Sequence, residues 1–158
     1  MTLAENLQPL AGLVGTWRGP GSGHYPTIDD FEYTEELVFA DSGKPFLTYL
    51  QRTSSPAGAP MHTESGFLRV VGPSSVEFVL AQPTGHSELA LGELRATSGV
   101  VAFELAADVV TSPSAKAVEA TRRVYRLEGD RLVTDFWMAA VGVAMTHHLH
   151  SELRRVDT

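Results

Sequence analysis

The 158-residue chain contains no cysteine. Disulfides, thiolate nucleophiles, iron–sulfur clusters, zinc fingers and thiolate-ligated haem are therefore excluded together. It also lacks any apolar run approaching the roughly 18 residues that a membrane-spanning helix needs. The start, Met1-Thr2-Leu3-Ala4-Glu5, has neither a basic cluster nor an apolar stretch, so no secretory signal is visible and a cytoplasmic location is expected. Positive charge is scarce: the formal net charge is −7. Binding to nucleic acid or to anionic membranes depends on basic groups, so neither partner is expected. A small anionic ligand stays compatible, because a local site can oppose the global charge. A homo-oligomer is compatible with the sequence but not indicated by it.

What is present is a globular composition, with 43% apolar residues, in a chain of the length of one domain. Residues 1–158 are read as a single domain. The opening residues suit a short helix: Thr2 and Glu5 have capping-box spacing, Leu3 and Leu7 share a helical face, and Pro9 and Gly12 then break it. After this, short segments rich in β-branched and aromatic residues alternate with turn signals, roughly every eight to twelve residues, as in sandwiches and barrels. The turns are Asp41-Ser42-Gly43, Pro56-Ala57-Gly58, Gly72-Pro73-Ser74, Pro83-Thr84-Gly85, Thr97-Ser98-Gly99, Ser112-Pro113-Ser114 and Glu128-Gly129-Asp130. About nine strands are expected on this reading.

Period-two alternation assigns faces. Phe31, Tyr33, Glu35, Leu37 and Phe39 share one side of a strand, and the intervening residues share the other. If that side is internal, Glu35 needs a partner such as an arginine. Val76 to Ala81 is almost wholly apolar, which suggests a strand covered on both faces. Arg122 to Leu127 and Leu132 to Met138 read as a hairpin across Gly129-Asp130. Met145, Leu149, Leu153 and Val156 recur at helical spacing, so a short helix over 145–156 is expected, with a last strand as the competing reading.

The first strand, Gly15-Thr16-Trp17-Arg18-Gly19-Pro20-Gly21-Ser22-Gly23-His24-Tyr25, carries glycines at alternating positions. Glycine inside a strand marks a bend or the close approach of backbone or ligand. Trp17 is expected to plug the base of a barrel. No Gly-Lys-Ser/Thr and no helical pattern follow, which excludes a phosphate loop or a Rossmann turn. No Gly-x-Ser-x-Gly elbow is present. The adjacent carboxylates Glu35 and Glu36 face opposite sides and cannot act as a pair.

Gly15-x-Trp17-x-Gly19-x-Gly21, continued by Gly23-x-Tyr25-Pro26-Thr27-Ile28 and Phe31-x-Tyr33-x-Glu35-Glu36, closely resembles the nitrobindin signature. Further segments are similar in order and spacing: Gly43-Lys44-Pro45-Phe46-Leu47, Met61-His62-x-Glu64-x-Gly66, Ala81-Gln82-x-x-Gly85 and His148-Leu149-x-x-x-Leu153. The resemblance spans nearly the whole chain. It implies an all-β fold, a single closed antiparallel barrel of about ten strands similar to lipocalins and fatty-acid-binding proteins, with short terminal helices. It also implies ferric haem b held by one histidine, binding of nitric oxide, and isomerisation of peroxynitrite to nitrate.

The six histidines are His24, His62, His86, His147, His148 and His150. A ferric ligand needs a neutral imidazole nitrogen aimed into an apolar cavity. Residue chemistry points to the triplet His147, His148 and His150 without choosing among them. The family pattern His-Leu-x-x-x-Leu maps onto His148, Leu149 and Leu153, which implies His148 as the axial iron ligand and catalytic centre. By the same correspondence His62, Gln82 and Met138 are implied as haem-cavity residues. Met61 is too, although alternation separates it from His62; Thr27 is implied near the haem. A zinc site in the triplet is disfavoured on a helix, because His147-His148-x-His150 does not set two rings on one helical face. The alternative function is a carrier of a fatty acid or other lipophilic ligand, with Arg122, Arg123 or Arg126 meeting the carboxylate.

Overall fold

The computed structural model describes residues 2–156. A 3-10 helix, Glu5–Leu13, leads into ten strands: β1 Gly15–Tyr25, β2 Ile28–Lys44, β3 Phe46–Ser54, β4 Pro60–Val71, β5 Ser75–Gln82, β6 His86–Thr97, β7 Val100–Thr111, β8 Val118–Glu128, β9 Arg131–Ala140 and β10 Val143–Arg155. Each strand pairs antiparallel with its sequence neighbours, and β1 pairs with β10 to close the barrel. Closure leaves no open sheet edge. Among the described residues, no helix is long and apolar enough to cross a membrane.

The barrel interior is layered, because residues two apart on a strand point the same way. At the base, Leu7, Leu10 and Leu13 of the 3-10 helix are fully buried against Trp17, Leu132 and Leu153. Trp17 is indeed the plug; its indole Nε1 donates to the Leu13 carbonyl at 2.9 Å and the Arg155 guanidinium covers its ring. Above lies an aromatic layer, in which Phe39, Tyr49, Phe78, Phe103 and Tyr125 meet edge-on, tilted or stacked. Above that is a layer of buried polar groups, and then the mouth.

Several expectations need correction. The N-terminal helix does not stop at Pro9: it runs through Pro9 and Gly12 as a 3-10 helix. Its N-cap is Ala4, with no side-chain cap bond, so the Thr2–Glu5 capping box does not form. Three apolar side chains held in the barrel base outweigh the local breakers. The Val76–Ala81 segment is covered on one side only: Val76, Phe78 and Leu80 are buried, whereas Val79 is 39% exposed. The segment 145–156 is not a helix. Residues 145–155 belong to β10, with Val156 just beyond it, which accounts for the step from nine strands to ten.

Strand β1, between β10 and β2, also has a reason to be glycine-rich. A Cβ on Gly21 would overlap the Tyr33 ring, and one on Gly23 would overlap the Phe31 ring. A Cβ on Gly19 would strike the backbone of Glu152. The missing side chains let the aromatic rings of β2 lie flat across β1 at the mouth.

Candidate functional site

A cavity of about 310 Å³ occupies the upper half of the barrel. Its walls include Phe31, Met61, Val109, Val118, Phe136, Met138 and Leu149, and its polar lining includes Glu35, Gln51, Glu64, Gln82 and Arg123. Predominantly apolar concavities with a few placed polar groups are what small ligands and cofactors occupy.

Five of the six residues singled out by resemblance line this cavity: Met61, His62, Gln82, Met138 and His148. Thr27 is not among them. It is exposed in the β1–β2 turn. Met61 is half exposed yet also reaches the lining, so both it and His62 contribute to the wall despite their opposite phases on β4.

His148 reaches the cavity through a β-bulge. The pairing of β10 with β9 jumps from His147↔Trp137 to Leu149↔Phe136, which leaves His148 as the extra residue. Strict alternation would put His148 outside with His150, opposite Leu149, Ser151 and Leu153. The bulge breaks that phase and lets both His148 and Leu149 face inward. Across the seam, β1 has its own register shift between Gly23 and Tyr25. His148 Nδ1 lies 2.9 Å from the His24 carbonyl oxygen there. A carbonyl only accepts, so Nδ1 carries the hydrogen and the neutral ring keeps its lone pair on Nε2. Nε2 has no hydrogen-bond partner among the described residues. Three aromatic rings surround the imidazole: Tyr25 at 5.2 Å, Phe136 at 6.1 Å and Phe31 at 6.2 Å between centroids. Burial depresses the His148 pKa below the ordinary imidazole value, against the opposing pull of the His24 carbonyl.

The other histidines are committed elsewhere. His86 bonds Thr84 through Nδ1 at 2.8 Å and the Lys116 carbonyl through Nε2 at 2.7 Å. His24 pairs with Asp30, and both His147 and His150 contact Asp135. His62 faces the cavity with Nε2 3.8 Å from Glu64.

The floor of the cavity was only partly foreseen. Arg123 enters from β8, on the same face as Thr121, Tyr125 and Leu127. Its guanidinium bonds Glu64 with both terminal nitrogens, at 2.7 and 3.1 Å, and Glu88 through Nε and Nη2, at 3.1 and 2.6 Å. Phe136 covers it at 4.8 Å. Thr121 and Gln82 also donate to Glu88, and Tyr49 donates to Glu64 at 2.9 Å. Burial alone would push the Glu64 carboxyl up, but the Arg123 charge overrides it and holds the group far below the usual carboxylate range. Burial likewise opposes the charge on Arg123, and the two carboxylates reverse that effect. Tyr125 is pushed up to about 12 by burial.

Glu35 does not pair with the arginine expected for its internal position. Its partner is Gln51, whose amide donates to Oε1 at 3.2 Å. Burial raises the Glu35 pKa, which favours the neutral acid. Glu35 Oε2 and Gln51 Oε1 have no hydrogen-bond partner among the described residues.

This arrangement disfavours the lipid-carrier alternative. Arg123, the internal arginine of the three considered, is saturated by Glu64 and Glu88. Arg122 pairs with Glu104 and Arg126 with Glu128. None is left to receive a fatty-acid carboxylate.

The donor set fits haem. One neutral imidazole with a free Nε2 stands among aromatic rings at the mouth of an apolar-walled cavity, which is the environment a haem ligand needs. Fold and site together define a class: a closed ten-stranded barrel whose apolar-walled cavity carries a neutral histidine, His148, with Nε2 free. The chain belongs to the THAP4-like, heme-binding beta-barrel domain family, whose profile matches residues 6–155. It is 48% identical over 155 residues to peroxynitrite isomerase 2 of Mycobacterium marinum, covering 97% of this chain and 96% of that protein. It is also 48% identical over 147 residues to peroxynitrite isomerase 1 of Rhodococcus jostii, covering 92% of this chain and 82% of that protein. The crystal structure of Rv2717c from M. tuberculosis superposes with a TM-score of 0.96 at 46% identity, over 99% of this chain and all of that one.

Proposed function

We propose that the chain is a haem-dependent peroxynitrite isomerase that takes haem b in the ferric state through His148 and also binds nitric oxide. The observation that carries this is the bulged His148, with Nδ1 tied to the His24 carbonyl and Nε2 free among aromatic rings. The names of the relatives support the activity, and the family match supports the cofactor class.

Bound haem would supply the iron at which peroxynitrite rearranges to nitrate, a conversion with no net redox change. The chain's own contribution is binding, orientation and exclusion of water. The His24 carbonyl fixes the tautomer of His148 and raises its basicity, as outer-shell partners of ligating histidines do. Burial keeps the ring neutral and so able to ligate. Phe31, Phe136, Met138 and Leu149 form an apolar wall that keeps competing acid–base chemistry out of the mouth. His62, held near Glu64, also lines the cavity and is placed to give a hydrogen bond to a small anionic ligand. Beneath, the saturated Arg123 cluster is a fixed polar floor, with no arginine left to compete for an anion.

The test is a hemin titration followed in the Soret region, with wild type and His148→Ala compared and circular dichroism confirming the fold of each. A saturating one-to-one shift in wild type, lost in the variant together with accelerated decay of peroxynitrite to nitrate, is expected. Undiminished isomerisation by His148→Ala would sink the assignment.

A further inference from the structure

The bulge that turns His148 inward has a second consequence on the outer wall. It leaves His147 and His150, three residues apart, on the same outward side of β10, next to Asp135 of β9. We propose that Asp135, His147 and His150 form a surface site for one divalent transition-metal ion, of which Zn²⁺ is the expected occupant.

The geometry is close to what such a site needs. Asp135 Oδ1 is 2.8 Å from His147 Nε2 and 2.7 Å from His150 Nδ1. The three ligand atoms all lie within 4.8 Å of one another. An ion with bonds of about 2.0–2.2 Å to nitrogen and oxygen fits among them after small side-chain rotations that widen the contacts to Asp135. Two imidazoles and one carboxylate are the ligands of borderline ions such as Zn²⁺, Cu²⁺ and Ni²⁺. Mg²⁺ and Ca²⁺ require more oxygens. Three protein ligands leave a position for water or for a further group.

The surroundings support the same reading. With the ion on Nδ1, His150 must carry its hydrogen on Nε2, and Glu152 Oε1 lies 3.6 Å from that nitrogen. A carboxylate behind a ligating imidazole fixes its tautomer and strengthens it as a ligand. Glu152 is in turn held by Arg131 at 2.9 Å. His147 packs against the Trp137 ring at 4.8 Å, and Arg122 covers Trp137 at 4.5 Å. Both rings therefore start from restrained positions. The two rings lie on the outward side of β10, while Asp135 also contributes to the cavity lining, so the site is tested with and without hemin.

The test uses the full chain, with and without bound hemin. Zn²⁺ is titrated by calorimetry, and Cu²⁺ by quenching of tryptophan emission. Trp137 touches a proposed ligand, whereas Trp17 sits in the barrel base, so Cu²⁺ should quench only the Trp137 share. Trp137→Phe should abolish the quenching while leaving Zn²⁺ binding in place. One saturable equivalent of Zn²⁺ is expected in both states. Asp135→Asn and His150→Gln should each weaken it by at least about tenfold, with an unchanged Soret spectrum in the hemin-loaded protein. Three results would overturn the proposal: no saturable binding, binding indifferent to both substitutions, or binding that hemin blocks and His148→Ala removes. The last would mean that the metal occupies the cavity histidine.

Discussion

Replacing Arg123 with methionine is the sharpest test of the cavity floor. The substitution keeps the aliphatic stem and removes the cation between two buried carboxylates. The Arg123 and Glu64 side chains are 7% and 5% exposed, and that of Glu88 is fully buried. Both carboxylates are therefore shielded from bulk solvent, although Glu64 and Arg123 border the cavity. Breaking a buried ion pair on one side costs about 3–5 kcal/mol. With a urea slope of about 2 kcal/mol per molar, a loss of about 4 kcal/mol lowers the midpoint by about 2 M. Urea unfolding at pH 7, followed by tryptophan emission, measures it. The pH dependence gives an independent check of sign. In the wild type the Glu64 pKa lies below its unfolded value, so its stabilisation is present above about pH 4.3 and is lost as pH falls through the folded value. Without Arg123, burial dominates and the folded pKa moves above the unfolded one. The penalty of the variant is then greatest at neutral pH and fades as pH falls through that raised value towards 4. The gap between wild type and variant should therefore narrow on acidification. Adding Glu64→Gln and Glu88→Gln to Arg123→Met should recover most of the loss at pH 7, since neutral amides leave no unpaired charge. A midpoint shift below about 0.5 M for the single variant, or a gap that widens towards pH 4, would refute a floor in which Arg123 compensates the buried carboxylates.

Three further outcomes are expected. Gly23→Ala should destabilise the protein by about 1–3 kcal/mol, because its methyl would meet the Phe31 ring, and should weaken hemin binding by displacing that wall; thermal melts and a hemin titration read both. Val141→Asn should stabilise by about 1 kcal/mol, because Val141 holds φ 47° beside Gly142 at φ 80° in a two-residue turn of the type that favours Asn-Gly; unchanged urea midpoints would count against strain there. Glu35→Gln should raise stability at pH 7 relative to pH 4. The raised pKa of Glu35 means that its favourable contribution is complete below about pH 4.3 and is lost as pH rises through the folded value, which an amide does not suffer; equal gains at both pH values would contradict this.

Much of the barrel was legible because its rules are local. Alternation placed Phe31, Tyr33, Glu35, Leu37 and Phe39 on one inward face, and that face is buried or half-buried throughout. Gly129-Asp130 marked the β8–β9 hairpin, which pairs Leu127 with Leu132 as the pattern requires. Two turns carried weaker signals, Pro26-Thr27 and Val141-Gly142, and the second breaks its own rule with a β-branched residue at positive φ. The internal Arg123 could have been found by the same alternation, because it shares a face with Tyr125 and Leu127. Its partners could not, since Glu64 and Glu88 lie 59 and 35 residues away and meet it only across the closed barrel.

The C-terminal segment divides the two sources of information most clearly. Its residues determined that one of three clustered histidines would matter, and the family pattern singled out His148. Whether the segment was helix or strand was decided by β1 and β9, whose unpaired edges require a strand between them. Which histidines face in or out was decided by one extra residue in the β9–β10 ladder. A bulge is a mismatch between two strands, so neither strand's sequence contains it. The chain by itself determined an acidic, cysteine-free barrel with an inward face and a glycine-stripped first strand. Only the tertiary structure aimed His148 into the cavity, tied it to the His24 carbonyl, and gathered His147, His150 and Asp135 into one cluster beside it.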